Sequence, residues 1–62
     1  MGVNLYKLRK NKNLTQAELG EKCGVSQQMI ALIEIGERNP SVETAKKISA
    51  VLEFDWTKFF EE

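Results

Sequence analysis

The stretch that decides the fold covers residues 15–35 and reads TQAELGEKCGVSQQMIALIEI. Its first four residues form a capping box, in which the Thr15 hydroxyl accepts a hydrogen bond from the amide of Glu18 and the Glu18 side chain reaches back to the amide of Thr15. This pattern predicts a helix that begins after Thr15. Gly24 predicts its end, because glycine readily adopts the left-handed conformation that closes many helices.

A second helix is expected after a very short connection. Val25 and Ser26 form this connection, and Ser26 is a good N-cap. We expect the helix to run over Gln27–Glu34 and to bury Ile30 and Ile33. Gly36 is the expected C-cap. A short turn that contains glycine sets two helices at a steep angle and leaves the second one exposed. An exposed helix of this kind fits the major groove of B-form DNA.

The rest of the chain also predicts helices, since it contains no long alternating apolar run of the kind that strands need. Asn4 can cap a first helix that extends to about Lys12, Ser41 can cap a fourth helix, and Asp55 can cap a short fifth one. The side chains expected to point inward from the fourth helix are Ala45, Ile48, Val51 and Leu52. We therefore expect an all-α fold, a single compact domain of five helices.

Composition excludes several classes of protein. Cys23 is the only cysteine and the chain contains no histidine, so we expect no disulfide, no metal site and no cofactor. No pair of a base and a nucleophile and no glycine-rich phosphate loop is present, so we expect no enzymatic activity. No apolar run approaches the roughly 20 residues of a membrane helix, and the N-terminus lacks the apolar core of a signal peptide. We expect a soluble, cytoplasmic protein with no membrane partner.

The charge is distributed unevenly, although the formal net charge is +0. Strong nucleic-acid binders usually have a basic patch, and a neutral chain argues against one. The basic residues of the first dozen positions are Lys7, Arg9, Lys10 and Lys12, with no acidic residue among them. The acidic residues of the last ten positions are Glu53, Asp55, Glu61 and Glu62, against Lys58 alone. The molecule is therefore expected to have a basic end and an acidic end.

The outward face of the third helix has the chemistry of base recognition. With about 100° of rotation per residue, Gln28, Ala31, Leu32 and Ile35 point away from the core, while Gln27 and Met29 lie on the flanks. Glutamine can pair with adenine through two hydrogen bonds, and small or apolar side chains such as Ala31 and Leu32 can contact thymine methyl groups. The two glutamines at the start of this helix are thus the candidate base-reading residues.

The run from Leu14 to Gln28 resembles the helix-turn-helix of the lambda repressor and Cro (XRE) family of transcriptional regulators. The resemblance continues through Ile30, Ile33, Glu34 and Gly36 and through the run Arg38-Asn39-Pro40-Ser41, and it spans about residues 5–60. It implies a lambda-repressor-like fold of five helices over residues 1–62, with the helix-turn-helix motif at about residues 15–35. It also implies sequence-specific binding to double-stranded DNA.

The resemblance implies roles for particular residues. Gln16 matches a glutamine that touches a phosphate and braces the first side chain of the recognition helix. Gln27 and Gln28 match the two leading base-reading positions. The further matching residues are Met29 and Leu32, which face the groove, Arg38 and Asn39, which bind the sugar-phosphate backbone, and Arg9 and Glu34, which form a partly buried ion pair.

Three positions depart from the family's pattern. Leu32 stands where the family often has a polar or basic residue, and Ile35 where asparagine or arginine is common. Glu37 places a negative charge in a loop that approaches phosphates. These departures favour weak or selective binding over strong, indiscriminate binding.

The C-terminal aromatic residues Trp56, Phe59 and Phe60 have two interpretations. They close the core, or part of them forms a dimer contact, since exposed aromatic side chains are typical of interfaces.

The sequence-based hypothesis is a homodimer that binds an inverted-repeat operator and regulates transcription, most simply as a repressor. One alternative is the antitoxin of a toxin–antitoxin pair, with the toxin or another protein antagonist as partner. The other is a protein-interaction module that has lost DNA binding, which the apolar Met29, Leu32 and Ile35 favour.

Overall fold

The computed structural model describes residues 3–60. In this range the chain forms four α-helices, α1 (Leu5–Asn11), α2 (Gln16–Cys23), α3 (Gln27–Glu34) and α4 (Val42–Leu52), followed by a terminal 3-10 helix (Trp56–Phe60) and no strand. The all-helical prediction is confirmed. The single-domain prediction also includes Met1, Gly2, Glu61 and Glu62, which lie outside the described residues.

The expected fifth α-helix is a 3-10 helix of five residues. Asp55 Oδ1 accepts hydrogen bonds from the Thr57 amide at 3.0 Å and from the Thr57 hydroxyl at 2.9 Å. These bonds close a tight turn at the start of the segment, and a segment so short has room for few of the longer-range bonds of an α-helix. The count of five α-helices is therefore not confirmed.

Each α-helix begins at a polar residue that caps it. The side chains of Asn4, Thr15, Ser26 and Ser41 accept hydrogen bonds from backbone amides three residues later. At α2 the capping box is complete, because the Glu18 side chain also accepts from the Thr15 amide. These bonds satisfy amides that have no partner inside the helix, so they fix where each helix starts.

Residues with a left-handed backbone conformation follow the ends of the first three helices. Asn13, Gly24 and Gly36 have φ angles of 58°, 73° and 80°. Asn13 and Gly36 lie two residues beyond the last residues of α1 and α3, while Gly24 directly follows α2. The first helix ends at Asn11, one residue before the predicted Lys12.

One apolar core holds the helices together. α2 packs against α3 and α4, α1 packs against α3, and the terminal 3-10 helix packs against α4. The buried apolar residues are Leu5, Leu19, Cys23, Ile30, Ile33, Ala45, Ile48, Leu52 and Phe59. Val51, which was expected to point inward, is only partly buried against this cluster, and so is Leu8.

None of the helices within residues 3–60 has the length and apolar character needed to cross a bilayer. The same part of the chain contains no group of three or more side chains suited to holding a metal ion.

Candidate nucleic-acid interface

The N-terminal end of α3 is exposed at the surface of the helix-turn-helix. Ser26 Oγ accepts a hydrogen bond from the Met29 amide at 3.0 Å and fixes the start of the helix. Gln27 and Gln28, the first two helical residues, are both exposed. Ile30 lies on the opposite side and is fully buried. This geometry leaves two amide side chains at the tip of a firmly anchored helix.

The other predicted groove residues on α3 are less exposed. Met29, Ala31 and Leu32 are half-buried, and Met29 packs against the core. Ile35 follows the helix and is 70% exposed. The outward surface of α3 is therefore polar at its start and apolar towards its end.

Arg38 and Asn39 lie in the loop after α3 and both are exposed. The Leu32 carbonyl accepts hydrogen bonds from the amides of Glu37 and Arg38, at 3.0 and 3.3 Å. These hydrogen bonds connect the loop backbone to α3. The Glu37 side chain is exposed next to Arg38 and Asn39.

A solvent-open concavity separates the start of α3 from the neighbouring helices. Its lining residues are Arg9, Lys10, Asn13, Leu14, Thr15, Gln16 and Gln27. Gln16 and Gln27, which come from different helices, therefore border the same depression. Sequence reasoning did not identify Lys10, Asn13 or Thr15 as part of this surface, because no local pattern indicates that the end of α1 lies beside the start of α3.

A hydrogen-bonded network lies behind the concavity. Arg9 Nε donates to Glu34 Oε2 at 2.7 Å, and Arg9 Nη2 donates to Glu34 Oε1 at 3.4 Å. Arg9 Nη1 donates to the Leu14 carbonyl at 2.8 Å. Gln16 Nε2 donates to Glu34 Oε1 at 3.1 Å. The two charged side chains are only 8% and 6% exposed, so the ion pair lies in the interior.

The basic residues near the N-terminus have different environments. Arg9 is buried in this network, and Lys12 forms an ion pair with Glu53. Lys10 lines the concavity, and its ammonium lies 6.0 Å from the centre of the Tyr6 ring. Arg9 and Lys10 both line the concavity beside Gln27, but the charge of Arg9 is paired with that of Glu34.

The C-terminal aromatic residues divide between core and surface. Phe59 is 3% exposed and its ring centre lies 5.3 Å from that of Phe54. Phe60 is 47% exposed and meets the half-buried Trp56 edge-on at 6.0 Å. Lys46 lies over the Trp56 ring at 5.2 Å. Of the two interpretations given for these residues, the burial of Phe59 fits the first, in which the ring closes the core, and corrects its assignment to a dimer interface.

A family model described as helix-turn-helix matches residues 5–59, nearly the whole described range. The chain belongs to this family. It is 43% identical over 58 residues to the uncharacterized HTH-type transcriptional regulator YqaF of Bacillus subtilis, covering 94% of this chain and 76% of that protein. The HTH-type transcriptional regulator SinR of the same organism is 37% identical over 54 residues, and the match covers 86% of this chain and 49% of SinR.

Two further similarities extend this result. The immunity repressor protein of Bacillus phage phi105 is 35% identical over 52 residues, which cover 84% of this chain and 36% of that protein. Among solved structures, the N-terminal DNA binding domain of SinR from Bacillus subtilis matches with a TM-score of 0.81 and 34% identity, over 94% of this chain and 86% of that one. The helical arrangement is thus that of a DNA-binding domain of the family.

Proposed function

We propose that this chain binds double-stranded DNA in a sequence-specific manner, with α3 in the major groove, and regulates transcription as a repressor. The observation that supports this most directly is the exposed pair Gln27 and Gln28 at the start of α3, next to a concavity that Gln16 also lines. Glutamine can read adenine through its N6 and N7 positions. The family match and the names of the relatives, which include regulators and a repressor, support the same function.

The proposed contacts divide into two groups. Gln27 and Gln28 read base edges, while the half-buried Ala31, Leu32 and Met29 add apolar contacts to thymine methyl groups. Gln16, Arg38 and Asn39 bind the sugar-phosphate backbone and set the position of α3 in the groove.

A homodimer on an inverted-repeat operator is part of the proposal. One recognition helix reads only a few base pairs, and two helices separated by one helical turn, about 34 Å, double the site. A two-fold dimer needs a self-complementary surface on each copy. The exposed Phe60 with the half-buried Trp56 supplies an apolar surface at the C-terminal end of the described residues.

Selection of bound sequences from a random DNA pool tests this function. We expect enrichment of an inverted repeat with adenines in each half-site, and binding that weakens as the salt concentration rises. The matched control is the double variant Gln27→Ala/Gln28→Ala, which keeps the helix and should lose the enrichment. A pool that shows no enrichment with the wild-type protein would contradict the proposal and favour a protein-interaction module, for which the exposed Ile35 would be a contact. Co-purification with a toxin would instead favour an antitoxin.

A further inference from the structure

We propose that Glu34, although its side chain is only 6% exposed, is a positioning residue for DNA binding because it fixes the side-chain amide of Gln16. This inference rests on the proposed function. Glu34 lies at the last position of α3 and Gln16 at the first position of α2, so the contact links the two helices of the motif.

The first step concerns the direction of the Gln16 amide. Gln16 Nε2 lies 3.1 Å from Glu34 Oε1. An ionised carboxylate can only accept hydrogen bonds, so the NH2 group of Gln16 must face Glu34 and the carbonyl oxygen must face elsewhere. Gln16 is left with one N–H and its carbonyl oxygen for other partners. Glu34 therefore decides which groups Gln16 offers to DNA.

The second step concerns what holds the Glu34 carboxylate in place. Arg9 binds both carboxylate oxygens, at 2.7 and 3.4 Å, and also donates to the Leu14 carbonyl at 2.8 Å. A charge-assisted pair with two hydrogen bonds is stronger and more directional than a neutral contact. Because both side chains are more than nine-tenths buried, solvent screens the pair little. The carboxylate is thus a fixed acceptor before any DNA arrives.

The third step connects this acceptor to binding. Gln16 is half-buried and lines the concavity that Gln27 also lines. A side chain that is already ordered loses less conformational freedom when it binds a phosphate or braces a neighbouring side chain. Loss of Glu34 would release the Gln16 amide to rotate, so the DNA contact would weaken although no DNA-contacting group had been removed.

The test compares the effect of Gln16→Ala in two backgrounds. Removing Glu34 alone would leave Arg9 buried without its partner, so the second background is Arg9→Met/Glu34→Leu, which replaces the pair with apolar side chains. In the wild-type background, Gln16→Ala should weaken binding to the selected DNA about tenfold, as expected for one lost charge-assisted hydrogen bond. In the apolar background, the same substitution should weaken binding less than about twofold. An equal loss in both backgrounds would overturn the proposal.

A second measurement separates positioning from a merely structural role. In the free wild-type protein, the Gln16 side-chain NH2 should show restricted motion in nitrogen-15 relaxation, and in the Arg9→Met/Glu34→Leu variant it should become mobile while the backbone of α2 stays rigid. Glu53→Gln is the control, because it removes an ion pair with Lys12 that does not involve Gln16. A Gln16 amide that is equally mobile in all three proteins would overturn the inference. Since this readout needs no DNA, it stands apart from the DNA selection that tests the proposed function.

Discussion

Gly20 and Val25 approach each other so closely that a Cβ atom on Gly20 would lie 2.7 Å from the Val25 carbonyl oxygen. The Val25 amide in turn donates a hydrogen bond to the Gly20 carbonyl at 2.9 Å. The turn between α2 and α3 therefore folds back over the last part of α2. Because Ser26 follows directly and caps α3, this approach helps to set where the exposed helix begins.

Gly20→Ala should destabilise the protein by about 1–3 kcal/mol. The new methyl group would meet backbone atoms of Val25 and Ser26 that cannot move without shifting α3. Helix propensity alone predicts the opposite, since alanine in a helix interior is favoured over glycine by up to about 1 kcal/mol. Urea unfolding distinguishes the steric effect from the effect of helix propensity. A variant as stable as the wild type, or more stable, would contradict the steric explanation.

Gly24→Ala is the matched control for this experiment. Gly24 has φ 73°, and beyond its two chain neighbours a Cβ atom on it would meet no atom of residues 3–60 within 4 Å. Its substitution should cost about 1–2 kcal/mol through the left-handed backbone alone. Nuclear magnetic resonance shifts should change only around the turn in Gly24→Ala, whereas in Gly20→Ala they should change along α3.

Stability should fall at acidic pH, partly through the capping box of α2. The hydrogen bond from the Thr15 amide, at 2.9 Å, holds the pKa of Glu18 below its ordinary value of 4.5. A carboxyl group whose pKa is lower in the folded state stabilises the fold above its unfolded pKa, and this contribution is lost as the pH falls below about 4.5. Hydrogen bonds from Thr57 to Asp55 and from Lys12 to Glu53 lower the pKa values of those carboxyl groups in the same direction.

Glu18→Gln should make the acid limb of the stability profile shallower. Glutamine can still accept from the Thr15 amide, so the cap survives while the titrating group is removed. Urea midpoints between about pH 3 and pH 7 measure the effect. The control is Glu21→Gln, which lies on the same helix outside the capping box. If the two variants had acid limbs of equal slope, the capping box would not contribute to the pH dependence.

The buried pair of Arg9 and Glu34 should behave differently from an exposed ion pair. Arg9→Met leaves the Glu34 carboxylate in the interior without its partner and should cost about 3–5 kcal/mol, whereas Arg9→Met/Glu34→Leu should cost much less. Glu43→Gln breaks the exposed pair with Lys47 and should change stability little. Thermal unfolding measures all three. Equal melting temperatures for Arg9→Met and the wild type would mean that the pair is solvated.

Local signals and through-space relationships were not equally predictable from the sequence. The N-caps Thr15, Ser26 and Ser41 were predicted correctly, because a cap depends on a side chain and an amide only three residues apart. The different burial of Phe59 and Phe60 was not predicted, because both lie in one short segment. Only the packing against Phe54 decides which of the two rings is buried.

The candidate site shows the same limit. The exposure of Gln27 and Gln28 followed from the positions of Ile30 and Ile33 on one helix. The hydrogen bond between Gln16 and Glu34 spans 18 residues and depends on how α2 and α3 cross, which no sequence pattern specifies. The approach of Gly20 to Val25 depends on the same crossing.

Gln28→Ala should cost about 1–3 kcal/mol on the selected DNA site and leave binding to unrelated duplexes nearly unchanged. Gln28 is exposed, so its truncation should not alter the free energy of unfolding. Fluorescence anisotropy with the selected site and a scrambled duplex measures both affinities. Affinities that fell together on both duplexes would make Gln28 a backbone contact instead of a base-reading residue.

Phe60→Asp should give a folded monomer that binds the selected inverted repeat much more weakly. Phe60 is 47% exposed and adjoins Trp56, so a charge there would disrupt an apolar contact between two copies without entering the core. Tyr6→Ser, at an exposed aromatic residue on α1, is the control and should leave the dimer intact. Sedimentation equilibrium measures the assembly, and anisotropy measures the affinity for whole and half sites. Because only a dimer gains from the second half-site, Phe60→Asp should bind both duplexes with similar affinity. If the Phe60→Asp protein remained a dimer with full affinity, the dimer interface would have to lie on another surface.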